Sequence, residues 1–312
     1  MKNMRIVFMG TPAFAVPSLK AVYDQGYDIA AVVTQPDKER GRGKRISFSP
    51  VKECAEALKI PVLQPSTMHD ETILAQLRNL RPEVIIVIAY GKILPKKVLD
   101  IPPFGCLNIH GSLLPKYRGA APIQRAIYEG AQTSGITIMM LDEGMDTGKI
   151  LKKCEISLDV KETTGTLFEK LSKIGSQALV EVLHDLKNYE AHAVAQCHAE
   201  ATYADKITKE MAEINWADEA AHIECLIRAF DPQPGAYCMY QGKRLKIWKA
   251  DVVSGGDGIP GTILEVTKQY FTVQTGSNAL QIYEVQPESR KRLAAAQFLQ
   301  GCVLIPGQVL QR

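Results

Sequence analysis

None of the seven cysteines, at positions 54, 106, 154, 197, 225, 238 and 302, forms a C-x-x-C pair. An odd, unpatterned set of thiols excludes a disulfide framework and a zinc site of the usual spacing, so no metal is expected. The chain also lacks any apolar run near the ~20 residues that cross a bilayer. Its N-terminal apolar run is too short for a signal peptide, so a cytoplasmic location is expected. Heptads and long apolar stripes are missing as well, which points to a monomer. No internal repeat or low-complexity tract is evident. Met9-Gly10-Thr11-Pro12 lacks the G-x-G-x-x-G spacing of a dinucleotide loop, and Pro12 removes a backbone donor.

What remains is ordinary globular chemistry: 312 residues, 46% hydrophobic and 23% charged, enough for two domains. In the first half, β-rich apolar runs (5–10, 28–34, 83–89, 106–110 and 135–141) alternate with helical patterns (12–25, from Ser49-Pro50 onward, and 163–187). That alternation predicts βαβ units and an α/β fold built on an open, mostly parallel sheet. Periodicity fails between 189 and 204. The expected division is a first domain over 1–189, a linker over 190–206 and a second domain over 207–312. In the second, a helix at 218–230 stops at Asp231-Pro232-Gln233-Pro234-Gly235. Short strands at 236–240, 244–253, 261–266, 270–275 and 280–285 follow, the pattern of a small antiparallel barrel or sandwich.

Net charge is +3, but residues 1–189 carry 25 Lys and Arg against 20 Asp and Glu, whereas 207–312 carry 11 of each. Much of the surplus sits in Lys38-Glu39-Arg40-Gly41-Arg42-Gly43-Lys44-Arg45. Composition alone leaves two readings open, a solvated loop or a glycine-punctuated finger that meets a phosphate backbone.

Asn108 and His110 stand two apart on a strand and so share a face. The strand ends in Gly111-Ser112, at the edge where open α/β sheets bind ligands. A long loop follows through Leu113-Leu114-Pro115 to Arg118-Gly119. In Asp142-Glu143-Gly144-Met145-Asp146-Thr147-Gly148, two glycines frame Asp146 in a tight turn. Each piece alone is compatible with a structural role: a satisfied Asn and His pair, a turn with a surface Asp. Together an amide donor, an imidazole and a carboxylate suit attack of an amine on a carbonyl carbon. The amide stabilises the oxyanion, and the imidazole and carboxylate handle protons. Ser112 and Cys106 lie in no nucleophile elbow, which favours direct transfer without a covalent enzyme intermediate.

These residues resemble a known family. Asn108-x-His110-x-Ser112-Leu113-Leu114-Pro115-x-x-Arg118-Gly119, with Asp146 in Gly-x-Asp-Thr-Gly, is similar to the 10-formyltetrahydrofolate-dependent formyltransferases. The likeness continues in Phe8 to Pro12, Thr34 to Asp37, Gly41 to Lys44, Ala89 to Pro95, Ile227 to Ala236 and Pro260 to Leu264, covering essentially the whole chain. It implies 10-formyltetrahydrofolate as formyl donor and, as acceptor, the α-amino group of methionine esterified to initiator tRNA. It also implies a Rossmann-like first domain, an OB-like C-terminal barrel that binds tRNA, and catalysis by Asn108, His110 and Asp146. Ser112, Leu113, Leu114 and Pro115 correspond to a folate-contacting segment. Arg42, Lys44 and Arg45 correspond to an insertion that reaches the acceptor stem. Relatives that formylate small amines, such as glycinamide ribonucleotide or an amino-sugar nucleotide, lack the Gly-Arg-Gly-Lys loop in combination with this barrel. A non-catalytic RNA binder would have no need of the Asn, His and Asp set.

Overall fold

Apolar runs of β-branched residues become strands where helices cover both faces of a sheet. In the computed structural model, which describes residues 4–40 and 45–311, these are β1 (Arg5–Gly10), β2 (Asp28–Val33), β3 (Lys38–Arg40), β4 (Arg45–Ser47), β5 (Val62–Leu63), β6 (Val84–Ile88), β7 (Cys106–His110), β8 (Thr133–Met140) and β9 (Ile150–Ser157). Seven form one sheet in the order β5-β2-β1-β6-β7-β8-β9. Pairing is parallel from β5 to β7, and β8 runs antiparallel to β7. Every residue of β6 is buried, and each such Val or Ile contributes roughly 1.5–3 kcal/mol of burial. β3 and β4 pair apart from the sheet as a two-stranded ribbon.

The chain steps outward from β1 to β5 before it returns to β6 on the other side of β1. The change of direction falls at the carboxyl ends of β1 and β6, the place where sheets of this kind take ligands. Thr11 Oγ1 and Gln35 Nε2 both donate to the Tyr90 carbonyl at 3.0 Å, lacing together the loops after β1, β2 and β6. β7 ends on the same edge, one strand further along.

The helices start where the sequence supplies caps. Ser49 accepts from Lys52 N at 3.1 Å and opens helix Pro50–Ala57. Asp70 accepts from Thr72 N at 2.9 Å and opens helix Glu71–Leu80, which the periodicity reading did not pick out. The helix expected over 163–187 is Thr164–His184, followed by a shorter one at Leu186–Ala191. Among the described residues, no helix is long and apolar enough to cross a membrane.

The chain divides into two units. The first comprises Met1–Pro122, Thr133–Ile156 and Phe168–Ala204, and the second Ile123–Gln132, Ser157–Leu167 and Asp205–Arg312. Residues 190–204, which the sequence pattern presents as linker, thus group with the first unit.

The second unit carries β10 (Tyr237–Tyr240), β11 (Lys243–Val253), β12 (Ile263–Val266), β13 (Phe271–Gln274), β14 (Ala279–Pro287) and β15 (Leu293–Ala294). They form an antiparallel sheet in the order β10-β11-β14-β13-β12, with β15 on β14. Register shifts flank Lys249 on β11, the kind of irregularity that bends a strand. The C-terminal residues then join the two edges of the curled sheet. Gln311 exchanges backbone bonds with Met239 of β10 at 3.0 and 3.1 Å, while Leu310 N donates to Gly261 O at 2.9 Å just before β12. The expected fold class, a parallel-rich α/β sheet followed by an OB-like antiparallel barrel, is the one observed.

Candidate active site

The site is built at the end of β7. Asn108 and His110 leave the strand on one face, as their spacing requires. Asn108 is half-buried, and among the described residues its side-chain amide makes no hydrogen bond, so both N–H groups are available to a ligand. His110 is buried, and its Nε2 lies 2.8 Å from the Tyr117 carbonyl. A carbonyl only accepts, so Nε2 carries a proton. The other ring nitrogen, Nδ1, faces Asp146 Oδ2 at 3.6 Å, a charge contact longer than a good hydrogen bond. In the neutral ring Nδ1 is therefore the basic atom, and it points at a carboxylate.

Asp146 adopts φ +53°, a left-handed conformation that Asp tolerates better than most residues. Its carboxylate also accepts from Gly119 N at 2.8 Å. Gly119 sits at φ +115°, and a Cβ there would lie 2.8 Å from the Ala204 carbonyl. Gly148, closing the Asp146 turn, is equally constrained: a Cβ would come within 1.7 Å of Met140 O. Gly148 is thus required by close approach of backbone, and the three groups singled out in the sequence come together: His110 beside Asp146, with Asn108 on the same strand face.

The loop after β7 is pinned from below. Thr137 Oγ1, on β8, donates to Ser112 O at 2.7 Å and accepts from Leu114 N at 3.1 Å. Ser112 is buried and its hydroxyl donates to Lys116 O at 2.6 Å. Leu114 packs into a core cluster with Met139 and Ile150. Only Leu113 and Pro115 of this segment are half-buried rather than interior.

Neither alternative nucleophile is free to act. The Ser112 hydroxyl is engaged as a donor. Burial, aided by the Asp100 charge, pushes the Cys106 thiol up to about 12, so it stays a neutral thiol at physiological pH. Among the described residues, no group of three or more His, Cys, Asp and Glu side chains could hold a metal ion.

Arg42 and Lys44 lie outside the described residues, and for Arg45 only the backbone is described, in β4. Of the basic run, Lys38–Arg40 form β3 and Arg45 opens β4, with Arg40 paired to Arg45.

One part of the site went unread in the sequence. The segment beyond Leu186–Ala191 runs back along the first unit, pairing Val194 with Ile150 and Tyr203 with Arg118. From it, Thr202 Oγ1 accepts from Tyr117 N at 2.9 Å, Thr202 O accepts from Arg118 N at 2.8 Å, and Ala204 N donates to Arg118 O at 2.7 Å. Gln196 and His198 reach the Arg118 guanidinium. Alternating Ala and His without periodicity gave no sign of this.

Known proteins share this sequence and this fold. A formyl transferase family model matches residues 4–183, and a formyl transferase C-terminal domain model matches residues 206–303. The methionyl-tRNA formyltransferase of Caldanaerobacter subterraneus subsp. tengcongensis is 49% identical over 310 residues, covering 99% of this chain and 100% of the relative. That of Alkaliphilus oremlandii is 43% identical over 308 residues, covering 98% and 99%. Among solved structures, WlaRD, a sugar 3N-formyl transferase crystallised in the presence of dTDP and 5-N-formyl-THF, superposes with a TM-score of 0.67 at 20% identity, over 92% of this chain and 99% of that one.

Proposed function

We infer the activity from one premise: the chain belongs to the formyl transferase family. It transfers the formyl group of 10-formyltetrahydrofolate to the α-amino group of methionyl-initiator tRNA, giving N-formylmethionyl-tRNA. Near-half identity along the whole length to methionyl-tRNA formyltransferases supports the acceptor. The fold alone would not separate it from an amino-sugar nucleotide, because a sugar formyl transferase shares that fold.

The observation that carries the chemistry is the His110–Asp146 contact at 3.6 Å, at the end of the strand that also presents the Asn108 amide. The methionyl amine attacks the formyl carbon, a new C–N bond forms, and the bond from that carbon to the folate nitrogen breaks. Asn108 donates to the formyl oxygen as negative charge develops there. The attacking amine must lose a proton and the departing folate nitrogen must gain one. His110 Nδ1 is the atom placed to take and return it, with Asp146 holding the ring charged in between. Asn108, His110 and Asp146 are the catalytic residues of this mechanism.

The Ser112 to Pro115 segment forms one wall for the folate. Ser112 and Leu114 shape it from inside, while Leu113 and Pro115 offer the exposed edge. The protein acts as a cytoplasmic monomer. Residues 1–189 catalyse, with the segment up to Ala204 packed onto them rather than serving as a linker, and 207–312 bind tRNA together with Arg42, Lys44 and Arg45.

A direct test is formyl transfer from 10-formyltetrahydrofolate with charged initiator tRNA, glycinamide ribonucleotide and an amino-sugar nucleotide as competing acceptors. Formylation of the tRNA alone is expected. Preferential formylation of either small amine would overturn the acceptor.

A further inference from the structure

Arg118 is fully buried, yet among the described residues it forms no ion pair. Its Nε and one terminal nitrogen donate to Gln196 Oε1 at 3.1 and 2.7 Å, and the other terminal nitrogen meets His198 Nδ1 at 3.2 Å. A guanidinium only donates, so the Gln196 atom facing it is the oxygen. The Gln196 amide nitrogen then points the opposite way. It donates both hydrogens to backbone carbonyls, to Asp146 O and to Gly148 O, each at 2.8 Å. All four hydrogen-bonding positions of one buried side chain are used, two on the loop after β7 and two on the Asp146 turn.

We propose that Gln196 is a positioning residue for Asp146, clamping the 146–148 turn to Arg118 so that the carboxylate stays against His110. The inference rests on Asp146 acting in catalysis as set out above. Asp146 is held at both ends. Gly119 N takes the carboxylate at 2.8 Å, and Gln196 takes the backbone carbonyl of the same residue. Arg118 and Gly119 are neighbours in sequence, so one rigid piece of loop fixes both ends. Without the Gln196 bonds, the left-handed backbone at Asp146 loses its tether and the carboxylate drifts from the imidazole.

The discriminating variant is Gln196→Glu, of the same shape. Its carboxylate still accepts from Arg118, but the two donors become an acceptor that faces two carbonyls. The expected result is a fall in kcat of about 100-fold, the cost of misplacing a reacting group by ~1 Å. KM for folate and tRNA stays unchanged, and thermal unfolding remains cooperative. In an Asp146→Asn background, Gln196→Glu is expected to cost nothing further, because it acts only through Asp146. Gln196→Ala, with space for water beside Arg118, is expected to give the same loss confined to kcat.

Wild-type kcat in Gln196→Glu, alongside an inactive Asp146→Asn, would overturn the clamp and leave the catalytic reading standing. So would losses that multiply in the double variant, or failure of both Gln196 variants to fold, which would make the residue purely structural. Full turnover by Asp146→Asn would overturn both.

Discussion

Two segments of the first unit meet at Asp146 and contribute opposite things. Residues 106–119 bring the groups proposed to react: the amide of Asn108 and an imidazole on His110 whose Nδ1 faces a carboxylate. Residues 194–204 bring nothing that reacts. They bring acceptors and donors that hold Tyr117, Arg118 and the Asp146 turn in place. Chemistry at the end of a strand depends on rare residue types at fixed spacing, whereas holding needs only an amide or hydroxyl at one point in space. The two segments should therefore respond differently to mutation, the first in the rate alone and steeply, the second in proportion to the displacement it allows.

The largest effect is expected at His110. His110→Ala removes the proposed proton carrier and should lower kcat by ~10²–10⁴-fold without loss of folding, measured by steady-state formylation and thermal melting. Asn108→Ala should follow at ~10²–10³-fold in kcat, the usual cost of one oxyanion donor, with KM for both substrates little changed. Thr202→Val, in the holding segment, removes the bond to Tyr117 N, and through Tyr117 the support of His110. A neutral hydrogen bond is worth ~0.5–1.5 kcal/mol, so the expected loss is at most about tenfold in kcat/KM. A Thr202→Val loss equal to that of His110→Ala would erase the distinction between the two segments. Cys106→Ala should have the smallest effect: a buried thiol pushed up to about 12 takes no part, so kcat is expected to be unchanged. A fall in kcat there would revive covalent catalysis and sharpen the comparison against the mechanism proposed.

The same contrast explains what could be read in the sequence. β1, β6 and β7 were legible because burial on both faces demands unbroken runs such as Val84–Ile88, and Asn108 and His110 were legible because their spacing puts them on one face. Gly148 was legible as a frame for Asp146, although its reason is the Met140 carbonyl rather than turn geometry alone. The barrel strands were legible from their turns. Its closure by Gln311 and Leu310 was not, since three backbone bonds between distant segments leave no pattern in either. Gln196 was illegible for the same reason: its three partner residues lie 48 to 78 residues away, so no local periodicity records them.

The proposed mechanism requires Asp146 in the reacting centre. The most direct measurement is the single-turnover rate of formyl transfer to charged initiator tRNA by Asp146→Asn with both substrates saturating. A rate lower by ~10² or more, in a protein that melts like the wild type, is the predicted result. A rate equal to the wild type's would contradict it.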